Sequence, residues 1–252
     1  MAPIRKGDGT PLEIPGVSEV RSGDGRVFFE GDAIPDSVVL QYFATTYEDN
    51  DDTWEDDLEN QDMSISGVTS GQLSDGNDAL DSDGTDDHGT HDFPSSLEGS
   101  DLQGPWAIEL AVEYDDDGGM ILGVRNDDED QLIHWNLLGD GNFLFMLDDN
   151  SGNQFRFEPD SNPGLDDGNR HDITVIVRDT TDSDAEIIID GDSVDLAFDS
   201  DQSPDNFTTW DRPNAVFARN DGGNITNHTD IKLGAIRWHD QDPEGQTIDD
   251  YP

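Results

Sequence analysis

Glu55, Asp57 and Glu59 stand at alternate positions in "EDDLE", the spacing that would put three carboxylates on one face of a strand. A retaining glycosidase needs two carboxyl groups about 5–5.5 Å apart, one as acid and one as nucleophile. The neighbouring residues argue against that use. Asp56 and Leu58 would form the opposite face, half of it polar, and the segment lies inside an acid-dense stretch. In a chain with 60 acids among 252 residues such spacing arises by chance. No G-x-S-x-G turn and no cysteine–histidine pair offers another hydrolytic centre. The expectation is a chain that is not an enzyme.

Metal chemistry has three candidate sources. Glu113, Asp115, Asp117 and Gly118 in "EYDDDGG" approximate the start of an EF-hand loop, but Val124 stands where the closing glutamate belongs. Residues 127–130 and 148–150 are oxygen-rich and read as solvated turns. His88 and His91, flanked by Asp87 and Asp92, form H-x-x-H with a donor set suited to a metal, although a hydrogen-bonded loop accounts for them more simply. The metal assignment stays open, and no cofactor is required.

Sugar binding needs an aromatic face beside amide and carboxylate groups. The segment "NFTTWDRPNAVFARNDGGNITNHTD" (206–230) supplies Trp210, Asp221, Asn224, Asn227 and His228, taken as the candidate ligand site. Long polar loops on a rigid scaffold are where binding residues collect. Trp210 suits either that platform or the edge of the core.

The elements that must carry these residues are strands. In "WAIELAVEY", Trp106, Ile108, Leu110, Val112 and Tyr114 alternate with Ala107, Glu109, Ala111 and Glu113, the mark of a strand with one buried face. Further strands are expected at 120–125, 131–138, 142–147, 154–158, 172–179, 185–190, 193–198, 214–219 and 231–239. Asp140-Gly141 and Asp190-Gly191 are hairpin signals. Many short strands with Gly/Asp turns and hardly any helical periodicity point to a sandwich or barrel.

Charge sets the environment. Sixty acids against 12 bases give a formal charge of −48, far beyond what solubility requires. Such self-repulsion destabilises a compact state unless salt screens it, and at 1 M salt the Debye length is about 3 Å. Lys6 and Lys232 are the only lysines. The composition resembles that of proteins from extreme halophiles, haloarchaea and their viruses. An acidic disordered chain is not expected, because the hydrophobic 32% falls in patterned runs. Nucleic acid is not an expected partner, for no basic patch is present to displace counterions from phosphate. A membrane is not expected either, since no apolar run approaches 18 residues, and "MAPIRKGDG" lacks the apolar core of a signal peptide.

The charge is unevenly spread. Residues 1–30 hold five acids and four bases, net −1, whereas residues 31–252 hold 55 and eight, net −47. A segment without the acidic signature is expected to be buried against something. Residues 1–44 are therefore read as an assembly arm, with Arg5, Arg21, Arg26, Phe28 and Phe29 as its contact residues and "RVFFE" and "SVVLQYF" as its strands. The exposed domain would begin at residue 45.

"NRHDITVIVRD" followed by "AEIIIDGDSV" resembles a strand pair of laminin-G-like domains, members of the concanavalin A-like lectin/glucanase superfamily. His171 and Asp190-Gly191 take the places of the family's histidine and Asp-Gly turn, and Arg170 stands where the family has tryptophan. "SDGNDALDSDGTDDHGTHDFPSSL", "GPWAIELAVEY" and "IKLGAIRWHD" resemble its opening segment, early strand and closing strand, in family order across residues 65–240. The resemblance implies an all-β, antiparallel jelly-roll β-sandwich (concanavalin A-like), here following a short β-rich arm. It implies glycan binding at a rim or concave face, as in many relatives, calcium as an ion common among them, and a structural role for His171. Glucanases of the superfamily carry an E-x-D-x-E signature, the letters of residues 55–59.

"RSGDGRVFFEGDAIPDSVV" leading into such a domain resembles structural proteins of haloarchaeal tailed viruses. The expected role is a virion turret, spike or fibre that adheres to a host surface, assembled in the host cytoplasm and then extracellular in high salt. Expected partners are copies of itself, other virion proteins through the arm, and host glycans or S-layer glycoprotein. A cellular carbohydrate-binding or adhesion protein is the alternative, with a glycoside hydrolase third.

Overall fold

A computed structural model describes residues 20–21, 27–28, 37–47, 52–58, 61–115, 118–126, 131–181 and 184–243. The chain divides into two compact units, residues 1–35 and 36–251. In the first, β1 (Val20–Arg21) pairs antiparallel with β2 (Val27–Phe28), strands being numbered in chain order. Of the expected arm contacts, Arg21 and Phe28 fall in this ladder, while Arg5, Arg26 and Phe29 lie outside the described residues.

The second unit is a β-sandwich, as the alternation and turn chemistry predict. Among the described residues the larger sheet has eleven strands. Its path runs β17 (Leu196–Asp201), β13 (Gln154–Pro159), β12 (Phe143–Asp148), β11 (Leu132–Leu137), β10 (Met120–Arg125), β18 (Asn214–Val216), β8 (His88–His91), β5 (Met63–Ser66) and β4 (Thr53–Trp54). β19 (Arg219–Asp221) pairs with β10, the one parallel pairing described, and β20 (Asn224–Thr226) pairs with β19. The smaller sheet has eight: β16 (Asp192–Val194), β15 (Asp184–Ile189), β14 (His171–Asp179), β9 (Trp106–Glu113), β21 (Lys232–His239), β7 (Asp78–Asp81) and β6 (Thr69–Gln72), with β3 (Val38–Phe43) also on β21. Remaining pairings are antiparallel, and the sandwich is of the jelly-roll class.

Inward faces meet in one core. Trp106, Trp135, Phe143, Phe145, Phe155, Phe157 and Trp238 are fully buried. Their rings interlock in tilted pairs, Trp135 with Phe143 at 5.5 Å and Phe145 with Phe157 at 5.3 Å.

Four expectations are revised. The segment 38–43, assigned to the arm, is a strand of the smaller sheet, with Leu40 and Tyr42 fully buried. The sandwich unit thus begins at residue 36 rather than 45; the apolar run is long enough to fill the edge of β21 that β7 leaves free. β9 is buried on both faces, not one. Its outward Glu109 is 1% exposed because Arg237 lies across it, with Nη1 3.1 Å from Glu109 Oε2 and Nε 2.7 Å from Gln41 Oε1. The run 193–198 divides at Asp195 between β16 and β17, so the chain changes sheets inside one apolar stretch. "HGTH" (88–91) forms a strand despite weak β propensity. Gly89 makes room there: a Cβ would lie 2.4 Å from Met63 Sδ.

Candidate functional site

One rim of the sandwich carries a polar cleft of about 450 Å³ lined by Ser74, Asp75, Asn169, Arg170 and Asp172. Two short turns build it. The first links β6 to β7: Asn77 N donates to Asp75 Oδ1 at 2.9 Å, and Gly76 takes a φ of 91°. The second precedes β14: Asn169 N donates to Asp167 Oδ1 at 2.9 Å, with Gly168 at a φ of 71°. Asp and Asn favour such turns because their side chains bond the backbone two residues on.

Arg170 bridges the turns. Its backbone N–H donates to Ser74 Oγ at 2.9 Å, and Nη1 reaches Asp75 Oδ2 at 2.7 Å. Nε and Nη2 fork onto Asp172 Oδ1 at 3.0 and 2.8 Å, fixing the guanidinium plane. The side chain is only 15% exposed. Burial pulls the Asp75 carboxyl up, but hydrogen bonds from Asn77 and Arg170 and the guanidinium charge outweigh it and hold the pKa below its ordinary value. Beneath the cleft, Ser74 N donates to the Glu113 carboxylate, which Lys232 Nζ also meets at 2.8 Å. Burial raises Glu113, and the bonds from Lys232 and Ser74 more than offset this, leaving it lowered. The rim therefore presents hydroxyl, amide, carboxylate and guanidinium groups in a fixed geometry.

His171 braces this rim. Nδ1 lies 2.8 Å from Asp190 Oδ2 and Nε2 3.2 Å from Asp167 Oδ1, while Asp172 N donates to Asp190 Oδ1 at 2.9 Å. Asp190 sits at a φ of 52° before Gly191, as the hairpin signal requires.

The residues expected to bind ligand occupy separate environments. Trp210 is 9% exposed and stacks on Phe93 at 5.1 Å, and Phe93 meets Trp238 edge-on at 5.2 Å. It caps the core edge and offers no open platform. Asp221 pairs with Arg219 at 2.9 Å and Arg125 at 3.8 Å. Asn224 and Asn227 are exposed, Asn227 at a φ of 55°. His228 Nδ1 lies 3.0 Å from the Asp87 carbonyl oxygen, its ring 5.9 Å from that of His88. The cleft residues Ser74, Asp75, Asn169 and Asp172 escaped the sequence reading. The available signal was Arg170, a scarce base at the mouth of a strand pair.

The H-x-x-H pair does not converge. His91 is 2% exposed, and both ring nitrogens are engaged, with the Asp92 carbonyl oxygen at 2.9 Å and Asn214 Nδ2 at 3.1 Å. His88 Nδ1 turns to the Asp86 carbonyl oxygen at 2.9 Å. Asp83, Asp86 and Asp87 form a carboxylate group whose oxygens lie within 4.8 Å of one another. Asp87 there accepts from Asp83 N at 2.8 Å. Asp149, in the oxygen-rich stretch 148–150, closes a turn through its hydrogen bonds. Glu55 is exposed after β4, Asp57 lies on a turn, and Glu59 is outside the described residues, as are 116–117 and 127–130.

No family model and no curated protein matches the sequence. Solved structures match in fold. The binding domain of Paraclostridial Mosquitocidal Protein 1 superposes with a TM-score of 0.60 at 14% identity, covering 82% of this chain and 49% of that one. A Trypanosoma rangeli sialidase in complex with sialic acid gives 0.60 at 7%, covering 91% and 34%. Botulinum neurotoxin type C, whose cell entry depends on two ganglioside molecules, gives 0.56 at 14%, covering 83% and 49%. The chain thus spans a third to a half of the length of these structures, and the likeness is one of fold: an antiparallel β-sandwich.

Proposed function

We propose that this chain is a glycan-binding adhesion protein displayed on a particle in concentrated salt, a turret, spike or fibre of a haloarchaeal tailed virus. Residues 1–35 serve as its assembly arm and contact sister copies or other virion proteins. The rim cleft around Arg170 takes the sugar, and the module binds without hydrolysing. The observation that carries this reading is the division of charge, net −1 over residues 1–30 and −47 beyond, coupled to a lectin-like sandwich. The solved structures of like fold include a sialidase in complex with sialic acid and a neurotoxin whose cell entry depends on gangliosides, which supports a sugar as ligand. Weak sites repeated on a particle gain avidity without new contacts.

The test is a glycan array probed in about 3 M KCl, where the charge is screened, with the full chain and with Arg170→Ala. Glycans held by the full chain and released by Arg170→Ala support the reading. Binding that survives Arg170→Ala moves the site elsewhere, and an array without hits ends the adhesion proposal. Particle incorporation lost on deleting residues 1–35 supports the arm.

A further inference from the structure

The larger sheet has an outward face that gathers several of the chain's few basic side chains around one imidazole. Across it, cross-strand neighbours form the row Ala215, Gly123, His134, Met146, Arg156 and Ser200. Their alternating partners Leu122, Trp135, Phe145 and Phe157 point into the core. Gly123 lets the neighbouring arginine lie over the strand: a Cβ there would stand 3.1 Å from Arg219 Cγ. His134 is thus set between Arg219 on one side and Arg156 beyond Met146 on the other, with Arg125 further along β10. Three of the eight basic residues in the stretch 31–252 share this face.

Their hydrogen-bonding capacity is only partly used. Neither ring nitrogen of His134 has a hydrogen-bond partner, and neither does Arg219 Nε, although its Nη2 donates to Asp221 at 2.9 Å. Arg156 Nε lies 3.3 Å from Asp199 Oδ2 without hydrogen-bond alignment. Burial and then the charges of Arg219 and Arg156 push the His134 pKa down to about 4. The charges that bear on this imidazole are cationic, in a chain of 60 acids. Arginine forks match carboxylate and sulfate oxygens in pairs.

The geometry points to a second sugar subsite on this face, one that takes an anionic sugar, with Arg156 and Arg219 gripping its carboxylate or sulfate over His134. This inference rests on the reading of the chain as glycan-binding. It adds a ligand class that the Arg170 cleft does not favour, since there one guanidinium already faces two carboxylates, Asp75 and Asp172. Asp221 and Asp199 are the counter-ions an incoming anion would displace on the outer face.

The test follows the His134 ring by long-range ¹H–¹⁵N NMR in the full chain, with glucuronate, galactose 6-sulfate and uncharged galactose as probes. Glucuronate, the sulfated sugar or both should shift the ring signals saturably. Either should also raise the His134 pKa by about a unit, because a nearby anion favours the imidazolium. Which of the two acts tells carboxylate from sulfate. Arg156→Gln and Arg219→Gln should each weaken the effect about tenfold, the scale of one charge-assisted bond. Silence of His134 with both anions up to about 50 mM, or an equal response to galactose, overturns the inference. Signals of Asn169 and Arg170 report the rim cleft in the same spectra. If they respond to galactose while His134 stays silent, this subsite alone falls. Silence at both places removes the glycan reading as well.

Discussion

Acid should destabilise this protein through His91 over a definite pH window. The imidazole is packed among Tyr42, Phe93 and Trp238, with ring centroids 5.7, 5.9 and 6.1 Å away. The Asp92 carbonyl oxygen takes the Nδ1 proton and Nε2 accepts from Asn214, so the neutral ring is fully bonded and a second proton at Nε2 would face the Asn214 amide N–H. Burial drives its pKa down to about 4, against smaller opposing effects of Asp92 and Asp56. The folded value lies below the unfolded one, so above pH 6.5 neither state binds the proton and the full stability is present. As pH falls, the unfolded chain protonates first, and the contribution is lost until the folded ring also titrates near pH 4. A gap from 6.5 to about 4 corresponds to a loss of about 3 kcal/mol. Urea unfolding in constant molar KCl at pH 7 and pH 4, on the protein and on His91→Gln, isolates this group, because the carboxylates titrate in both. The wild type should lose about 3 kcal/mol more than the variant. Equal losses, or an imidazole titrating near 6.5 in the folded protein, would refute the reasoning.

Asp149 is fully buried and accepts from Ser151 N, Asn153 N and Nδ2, Asp205 N and Asn206 N at 2.8–3.1 Å. Asp149→Ala removes the acceptor that these five donors share and should cost about 2–4 kcal/mol, a drop of roughly 5–15 °C in Tm by calorimetry. Deleting residues 1–35 should leave a cooperative unfolding transition, whereas deleting residues 1–44 also removes buried Leu40 and Tyr42 and should abolish it, since each is worth about 2–3 kcal/mol of a total near 5–15. Circular dichroism melts of the two truncations decide the point. Lowering KCl from about 3 M to about 0.1 M lengthens the screening distance to about 10 Å and should lower Tm by roughly 10 °C or more. A melting temperature independent of salt would contradict the reading of the acidic surface.

Strands were legible in the sequence where a period of two ran long and turn residues bounded it. β9, β10, β11 and β14 lie within a residue or two of the expected spans, and the Asp190-Gly191 hairpin forms. This information is local: backbone pleat, side-chain alternation and the φ preferences of Asp and Gly act within a few residues. The charge division and the absence of cysteine are likewise properties of the chain alone. The tertiary structure decided what depends on distant partners. Trp210 is apolar and loop-borne in sequence, and only Phe93, more than a hundred positions away, turns it inward. Residues 38–43 joined the sandwich because β21 had an unfilled edge. Ser74 and Asp75 meet Arg170 across 95 or so positions because β6–β7 and β14 end at one rim. Alternation tells which side chains share a face, but not which faces the fold brings together, and a site made of short polar turns has no pattern until the sheets bring those turns side by side.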